Sequence, residues 1–169
     1  MWRYHGQERP PWADTPGPGQ ESVWDYPRPP RLERWARLVE VHAGPQCLAR
    51  SRAAWRVCET ASPPTVYLPP DDVELGLLVA APGRSMCEWK GTACYLALVG
   101  APETPVAWTY RSPAPAFTAL RDHVAFYPAR LDCRVDGAPV RAQPGGFYGG
   151  WITAELAGPF KGAPGSGHW

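Results

Sequence analysis

The chain has 169 residues and a formal net charge of +1 at pH 7. A balance this close to zero provides no basic field for nucleic acid and no acidic field for basic partners, and no run of about 18 apolar residues that could span a membrane is present. The length fits one domain with a hydrophobic core. The polar, proline-rich N-terminus lacks the apolar stretch of a secretion signal. We therefore expect a cytoplasmic protein whose five cysteines are reduced.

The N-terminal region differs in composition from the rest of the chain. Residues 1–20 contain Pro10-Pro11 and a run of prolines and glycines from Pro16, which predicts a flexible leader. The folded domain is then expected over residues 21–169. Its first part combines aromatic residues with prolines, which predicts an extended segment that lays Trp24 and Tyr26 on the domain.

Patterns typical of short strands follow one another through the rest of the chain. They cover residues 38–43, 47–49, 55–60, 65–68, 85–89, 93–99, 106–110, 123–127, 131–135 and 140–142. Asp136-Gly137 is a strong hairpin signal. Asp71-Asp72 is suited to cap one helical turn, and residues 115–121 form the best helix candidate. We therefore predict an all-β, compact single-domain antiparallel fold of the β-tent or barrel-like type, with little helix.

The use of cations in this chain is uneven. Fifteen arginines accompany only two lysines, Lys90 and Lys161. Each lysine stands between an aromatic residue and a glycine, in Trp89-Lys90-Gly91 and Phe160-Lys161-Gly162. An ammonium is a compact charge that can lose its proton when buried, whereas a guanidinium effectively cannot. The two lysines are therefore candidates for chemistry. Alternatively, coding bias accounts for the arginines and the two lysines carry no special role.

Aromatic side chains recur at positions suited to wall a ligand site. Trp108 and Tyr110 share one strand face, and Tyr148 and Trp151 lie in a segment with two glycine pairs that permit close backbone approach. Alternatively, the aromatic residues of this segment plug one end of the fold.

Titratable residues from separate strands and turns are the candidates for catalysis. Glu59 is in line with Trp55 and Val57, and His123 is in line with Tyr127. Together with Lys90, these side chains can meet in one pocket. A structural ion pair between Glu59 and a lysine, and a structural role for His123, are the alternatives. The cysteines include no CxxC pair, and Cys87 is the candidate for a reactive thiol.

Several motifs together resemble a known family, the domain of unknown function 427. The resemblance runs from about Glu21 to Trp169 and rests on ESVWDYPRPP, CEWKG, AWTY, HVAFYP, QPGGFYGGW and GPFKG, in this order. It implies a compact all-β domain of the β-tent type. Relatives of that architecture often bind zinc through paired CxxC motifs, which this chain lacks. The family sometimes carries a nucleotidyltransferase label, but this chain has no paired carboxylates with a Gly-Ser motif that would hold a metal and a triphosphate.

The leading hypothesis is an enzyme with a small-molecule pocket that acts on a small polar metabolite by general acid–base chemistry. The predicted catalytic residues are Glu59, Lys90, His123 and Tyr127; the predicted ligand-binding residues are Trp89, Trp108, Tyr110, Tyr148, Trp151 and Lys161. We expect no metal and no cofactor, no nucleic-acid or membrane partner, and a homodimer as one possible assembly. The alternatives are a non-catalytic module with an aromatic cage, the nucleotidyltransferase of the family label, and an interaction protein whose leader docks a partner.

Overall fold

The computed structural model of the protein describes residues 2–169, and short strands dominate this range. In order they are β1 (Glu21–Ser22), β2 (Arg31–Trp35), β3 (Val39–Ala43), β4 (Gln46–Ser51), β5 (Ala54–Cys58), β6 (Thr65–Tyr67), β7 (Leu78–Cys87), β8 (Gly91–Leu98), β9 (Pro105–Thr109), β10 (Val124–Phe126), β11 (Asp132–Val135), β12 (Ala138–Pro139), β13 (Arg141–Ala142), β14 (Trp151–Ile152) and β15 (Leu156–Ala157). Short 3-10 helices span Val23–Asp25, Pro70–Asp72, Leu75–Leu77 and Pro115–Leu120. None of the helices within residues 2–169 combines the length and the apolar character needed to cross a bilayer.

The strands of the described range form five sheets. Two have four strands, in the orders β10-β9-β8-β7 and β12-β11-β3-β4, and a third has the order β2-β5-β6. The pairs β1-β15 and β13-β14 complete the set, and only β1 and β15 run parallel. The predicted all-β antiparallel fold with little helix is confirmed. The term barrel-like fits it only loosely, because no sheet within residues 2–169 closes on itself.

The hairpin predicted at Asp136-Gly137 is present between β11 and β12. Asp136 and Gly137 have φ values of 49° and 81°. A two-residue hairpin turn of this kind requires positive φ at both positions, which aspartate tolerates and glycine adopts freely. The Asp136 carboxylate also accepts a 3.0 Å hydrogen bond from the Leu38 N–H, which fixes the turn beside β3.

Strand β7 is longer than the sequence pattern predicted. The sequence pattern predicts this strand only over residues 85–89. In the structure β7 begins at Leu78, and its pairing with β8 shifts register between Ala80 and Arg84. A proline fits here because β7 is an edge strand, and glycine at a bulge adopts the required positive φ.

The β10-β9-β8-β7 sheet has the main core on one face and a second apolar cluster on the other. Neighbouring residues on a strand point to opposite faces, so Leu96 packs into the main core while Tyr95 packs with the second apolar cluster. On the core side, β3 and β11 bury Val41 against Cys133. Full burial of one such aliphatic side chain contributes about 1.5–3 kcal/mol.

The segment predicted to be a flexible leader makes specific contacts with the domain. Tyr4 is buried and packs edge-on against Trp24, with ring centroids 5.6 Å apart. Trp12 packs edge-on against the same tryptophan at 6.3 Å. The Asp14 N–H donates a 2.9 Å hydrogen bond to the Gly158 carbonyl oxygen. These contacts hold the N-terminal segment against the domain.

Candidate functional site

A cavity of about 380 Å³ lies between the β7–β8 hairpin, the strands β5, β6 and β9 and the loop over residues 143–150. Its volume is within the range of small-molecule sites. Eight of the ten residues predicted for the site line it: Glu59, Trp89, Lys90, Trp108, Tyr110, Tyr127, Tyr148 and Lys161.

One wall of the cavity is aromatic because strand alternation brings bulky side chains to one sheet face. Tyr95 on β8 pairs with Trp108 on β9, and Trp108 packs against Tyr127 with ring centroids 4.6 Å apart. The indole N–H of Trp108 donates a 3.2 Å hydrogen bond to the Tyr67 hydroxyl. The wall is therefore held by hydrogen bonds as well as by packing.

The phenols of this wall are proton donors at neutral pH. Burial raises the pKa of Tyr127 to about 12, with a smaller contribution from nearby Tyr95. Burial, followed by the neighbouring Tyr67 and Cys87, also raises the pKa of Tyr110 well above its ordinary value. Both hydroxyls stay protonated and offer hydrogen bonds to an oxygen acceptor.

Lys90 occupies the turn between β7 and β8, and its side chain lines the cavity. Gly91 follows it with a φ of 104°, a value that favours glycine. The Lys90 carbonyl oxygen accepts a 2.9 Å hydrogen bond from the Ala114 N–H, which fixes the turn. Only 8% of the residue is exposed to solvent.

The Lys90 side chain is a charged ammonium. Burial lowers the pKa of Lys90, but Tyr67, Cys87 and Glu59 outweigh burial, and the pKa of Lys90 lies above its ordinary value. Among residues 2–169, no carboxylate forms an ion pair with it and no oxygen accepts a hydrogen bond from its Nζ. Its Nζ lies 6.0 Å from the centroid of the Tyr110 ring.

Glu59 follows β5 and is oriented by two donors. Its Oε1 accepts a 3.2 Å hydrogen bond from Arg28 Nε and a 3.4 Å hydrogen bond from Trp89 Nε1. Arg28 is itself buried and donates to the carbonyl oxygens of Tyr4 and Thr60. No hydrogen bond from the described residues reaches Glu59 Oε2. One carboxylate oxygen is therefore fixed and the other is available.

Lys161 lines another part of the cavity and is held by the protein. Its Nζ donates a 3.1 Å hydrogen bond to the backbone oxygen of Trp169 and lies 4.2 Å from the centroid of the Trp2 ring. Burial, followed by the positive charge of Arg28, lowers the pKa of Lys161 below its ordinary value. Its main-chain N–H donates to Ala61, which anchors this segment beside β5.

Glycines allow the 143–150 loop to close over the cavity. A Cβ on Gly145 would collide with the Gly162 carbonyl oxygen, and a Cβ on Gly149 would collide with the Trp108 ring. Gln143 links the two segments, since its amide donates a 2.8 Å hydrogen bond to the Lys161 carbonyl oxygen and accepts one from the Gly150 N–H. The loop contributes Phe147 and Tyr148 to the lining, and Phe147 is 67% exposed.

Sequence reasoning missed several lining residues. Tyr67 and Tyr95 alternate in phase with Thr65 and Ala93, which also line the cavity, so strand periodicity could have found them. The sequence around Trp2 contains no pattern that predicts a place for it in the cavity. Its ring lies between Arg28 and Lys161, each 4.2 Å from the centroid, and its Nε1 donates a 3.4 Å hydrogen bond to Glu88.

Two predicted site residues lie away from the cavity. His123 precedes β10 in a turn, after Asp122 with a φ of 59°, so the alternation assumed from residue 123 to Tyr127 does not extend to it. Its Nδ1 lies 3.1 Å from the Arg121 carbonyl oxygen. Trp151 is buried in the main core and donates from Nε1 to the Phe126 carbonyl oxygen at 3.1 Å.

Within residues 2–169, the His, Cys, Asp and Glu side chains form no group of three or more that could hold a metal ion. All five cysteines are free thiols.

The fold and the site define the class of this protein: an all-β domain with an aromatic-lined cavity that contains two ammonium groups. Residues 31–137 match the model of the family described as Domain of unknown function (DUF427). The match covers more than half of the chain, so the chain belongs to this family. No curated protein matches the chain. Glu59, Lys90 and the β9–β10 wall lie inside the matched range, whereas Trp2, Tyr148 and Lys161 lie outside it.

Proposed function

We propose that the cavity binds a small, flat, negatively charged metabolite and that the protein acts on it by general acid–base chemistry. The observation that supports this most is the Lys90 ammonium, which is buried, lines the cavity and has no carboxylate partner in the described chain. A buried ion is stabilised best when an opposite charge pairs with it. An anionic group of the metabolite would supply the ion-pair partner that Lys90 lacks among residues 2–169.

The other polar groups favour a ligand that is rich in oxygen acceptors. Tyr110 and Tyr127 are donors at neutral pH, because burial raises the pKa of both hydroxyls. The aromatic wall favours a planar molecule, since rings stack favourably in offset or edge-on arrangements. Two carboxylates line the cavity, and each already has a partner in the protein. Glu59 is paired with Arg28, and Glu88 accepts a hydrogen bond from Trp2.

Glu59 is suited to be the base and Lys90 the group that stabilises developing negative charge. Arg28 and Trp89 hold Oε1 of Glu59 and leave Oε2 to accept a proton. When a proton leaves carbon beside a carbonyl group, charge develops on the carbonyl oxygen, and a fixed ammonium stabilises that charge. A positioned base typically contributes about 10²–10⁴-fold to such a step.

Hydrogen exchange of phenylpyruvate in D₂O tests this proposal, because the molecule has a planar aromatic ring, a carboxylate and acidic C3 hydrogens. We expect the wild-type protein to accelerate the exchange measured by ¹H NMR. Glu59→Gln should lose the acceleration and keep binding, and Lys90→Gln should lose both. Glu103→Gln is the matched control, since Glu103 is an exposed carboxylate that does not line the cavity.

Equal acceleration by wild type and Glu59→Gln would contradict the role of Glu59 as the base. Exchange with wild type no faster than in buffer, with phenylpyruvate bound, would contradict catalysis. That outcome would favour a non-catalytic binding module, the second candidate. One observation supports this candidate: the hydrogen bonds of Glu59 to Arg28 and Trp89 also fit a structural ion pair. A ligand recovered unchanged from the purified protein would point in the same direction.

A further inference from the structure

Cys87 is the one cysteine among residues 2–169 that lines the cavity. It ends β7 and pairs in register with Gly91 across the hairpin, so the turn that holds Lys90 starts from it. Cys58 and Cys133 are buried in apolar clusters, and burial raises the pKa of the Cys58 thiol to about 12. These two thiols are therefore inert.

Cys87 and Lys90 line the same cavity, and they are three residues apart at the β7–β8 turn. Lys90 is more than nine-tenths buried and has no oxygen partner in the described residues. A fixed positive charge in a pocket with low-dielectric walls raises the local concentration of anions. The opposing carboxylates are Glu59, which pairs with Arg28, and Glu88 at the mouth.

We propose that Cys87 is a nucleophilic site for small electrophiles that carry a negative charge, and that Lys90 directs them to its sulfur. The inference rests on the anion-binding role proposed above. With an unsaturated carboxylate, the S–H group adds across the carbon–carbon double bond. Sulfur bonds to the β-carbon, the thiol loses its proton and the α-carbon gains one, so no oxidant or reductant is needed. With a halocarboxylate, the S–C bond forms, halide leaves and the thiol proton passes to solvent.

Competition between iodoacetate and iodoacetamide tests the inference, because the two reagents differ mainly in charge. Mass spectrometry of peptides from the intact, folded protein gives the ratio of the two rates at each cysteine. Cys47 and Cys94 are half-buried thiols outside the cavity and serve as internal controls. We expect the ratio at Cys87 to exceed theirs by about tenfold or more. Lys90→Gln should bring it down to the control level, and Lys90→Arg should retain part of the preference.

Benzoate separates the two proposals, since it carries the charge without an electrophilic carbon. Benzoate should slow the alkylation of Cys87 and leave Cys47 unaffected. Equal rate ratios at all three cysteines, with benzoate still bound, would overturn the role of Cys87 alone. Equal ratios together with no benzoate binding would overturn both proposals. Circular dichroism of Lys90→Gln establishes that the variant is folded.

Discussion

Lys90 and Lys161 share one local sequence, an aromatic residue before and a glycine after, yet their ammonium groups have different surroundings. Lys161 is bound by the protein, through the Trp169 backbone oxygen and the Trp2 ring. Lys90 lines the cavity; its Nζ lies 6.0 Å from the Tyr110 ring centroid and donates to no oxygen of residues 2–169. Burial and Arg28 lower the pKa of Lys161, whereas the groups around Lys90 raise its pKa. The same three-residue motif therefore places its lysine in two different environments, and only the surroundings decide which ammonium is left without an oxygen partner among residues 2–169.

The affinity for an anionic ligand tests the difference between the two lysines most strongly. Lys90→Gln should weaken benzoate binding by about 10–100-fold, because a hydrogen bond to a charged group contributes about 1.5–3 kcal/mol. Lys161→Gln should change it by less than about threefold, because the protein already uses this ammonium. Isothermal titration calorimetry measures both. Equal losses in the two variants would show that the lysines have one shared role.

The loop that encloses both lysines depends on close packing at glycine. Gly149→Ala would place a methyl group against the Trp108 ring. Overpacking of this kind costs about 1–3 kcal/mol of unfolding free energy, which urea denaturation measures. Gly100→Ala is the control, since an added Cβ there meets no atom within 4 Å. An unchanged Gly149→Ala would mean that the loop moves freely from the wall.

Trp2 is the group that distinguishes Lys161 most clearly from Lys90. Trp2→Ala removes a ring face from both Lys161 and Arg28. At partly exposed sites a cation–π contact contributes about 0.5–1 kcal/mol, so the unfolding free energy should fall by about 1 kcal/mol. Glu103→Ala, an exposed substitution, should leave it unchanged. Identical stability of Trp2→Ala and wild type would show that the ring contributes nothing to holding Lys161.

The smallest expected effect is in the pH dependence of stability. Folding lowers the pKa of Lys161, so this lysine binds a proton more tightly in the unfolded chain than in the folded one. Protonated Lys161 therefore destabilises the folded state. The resulting penalty is present below the folded pKa and is relieved as pH rises toward the ordinary value of 10.5. The pKa of Lys90 is raised, so its stabilising contribution is complete below 10.5 and is lost as pH rises through its folded pKa.

Urea denaturation of the two glutamine variants separates these contributions. Lys161→Gln should flatten the rise of stability with pH below 10.5, and Lys90→Gln should alter the slope only above it. A change of slope below pH 10.5 in Lys90→Gln, and only above it in Lys161→Gln, would contradict both pKa directions.

Local patterns were enough to predict much of the fold and most of the cavity. Strand alternation puts Trp108 and Tyr110 on one face, and the Asp136-Gly137 turn requires positive φ that its residues can adopt. Tyr148 and Lys161 follow from the glycine-rich and aromatic-Lys-Gly motifs. Each of these predictions depends only on residues that are close together in the sequence.

The residues that were misplaced or missed depend on contacts that sequence spacing does not contain. His123 lies outside β10 because the preceding turn ends one residue later than the pattern indicates. Trp151 enters the main core because its indole N–H finds the Phe126 carbonyl oxygen there. Trp2 reaches the cavity only through tertiary contacts with Arg28, Lys161 and Glu88.

The position of Trp2 has a practical consequence for measuring binding. Its indole lines the cavity and contacts both Lys161 and Glu88. A molecule that enters the cavity would change the surroundings of this ring, so the fluorescence of Trp2 would report binding without an added label.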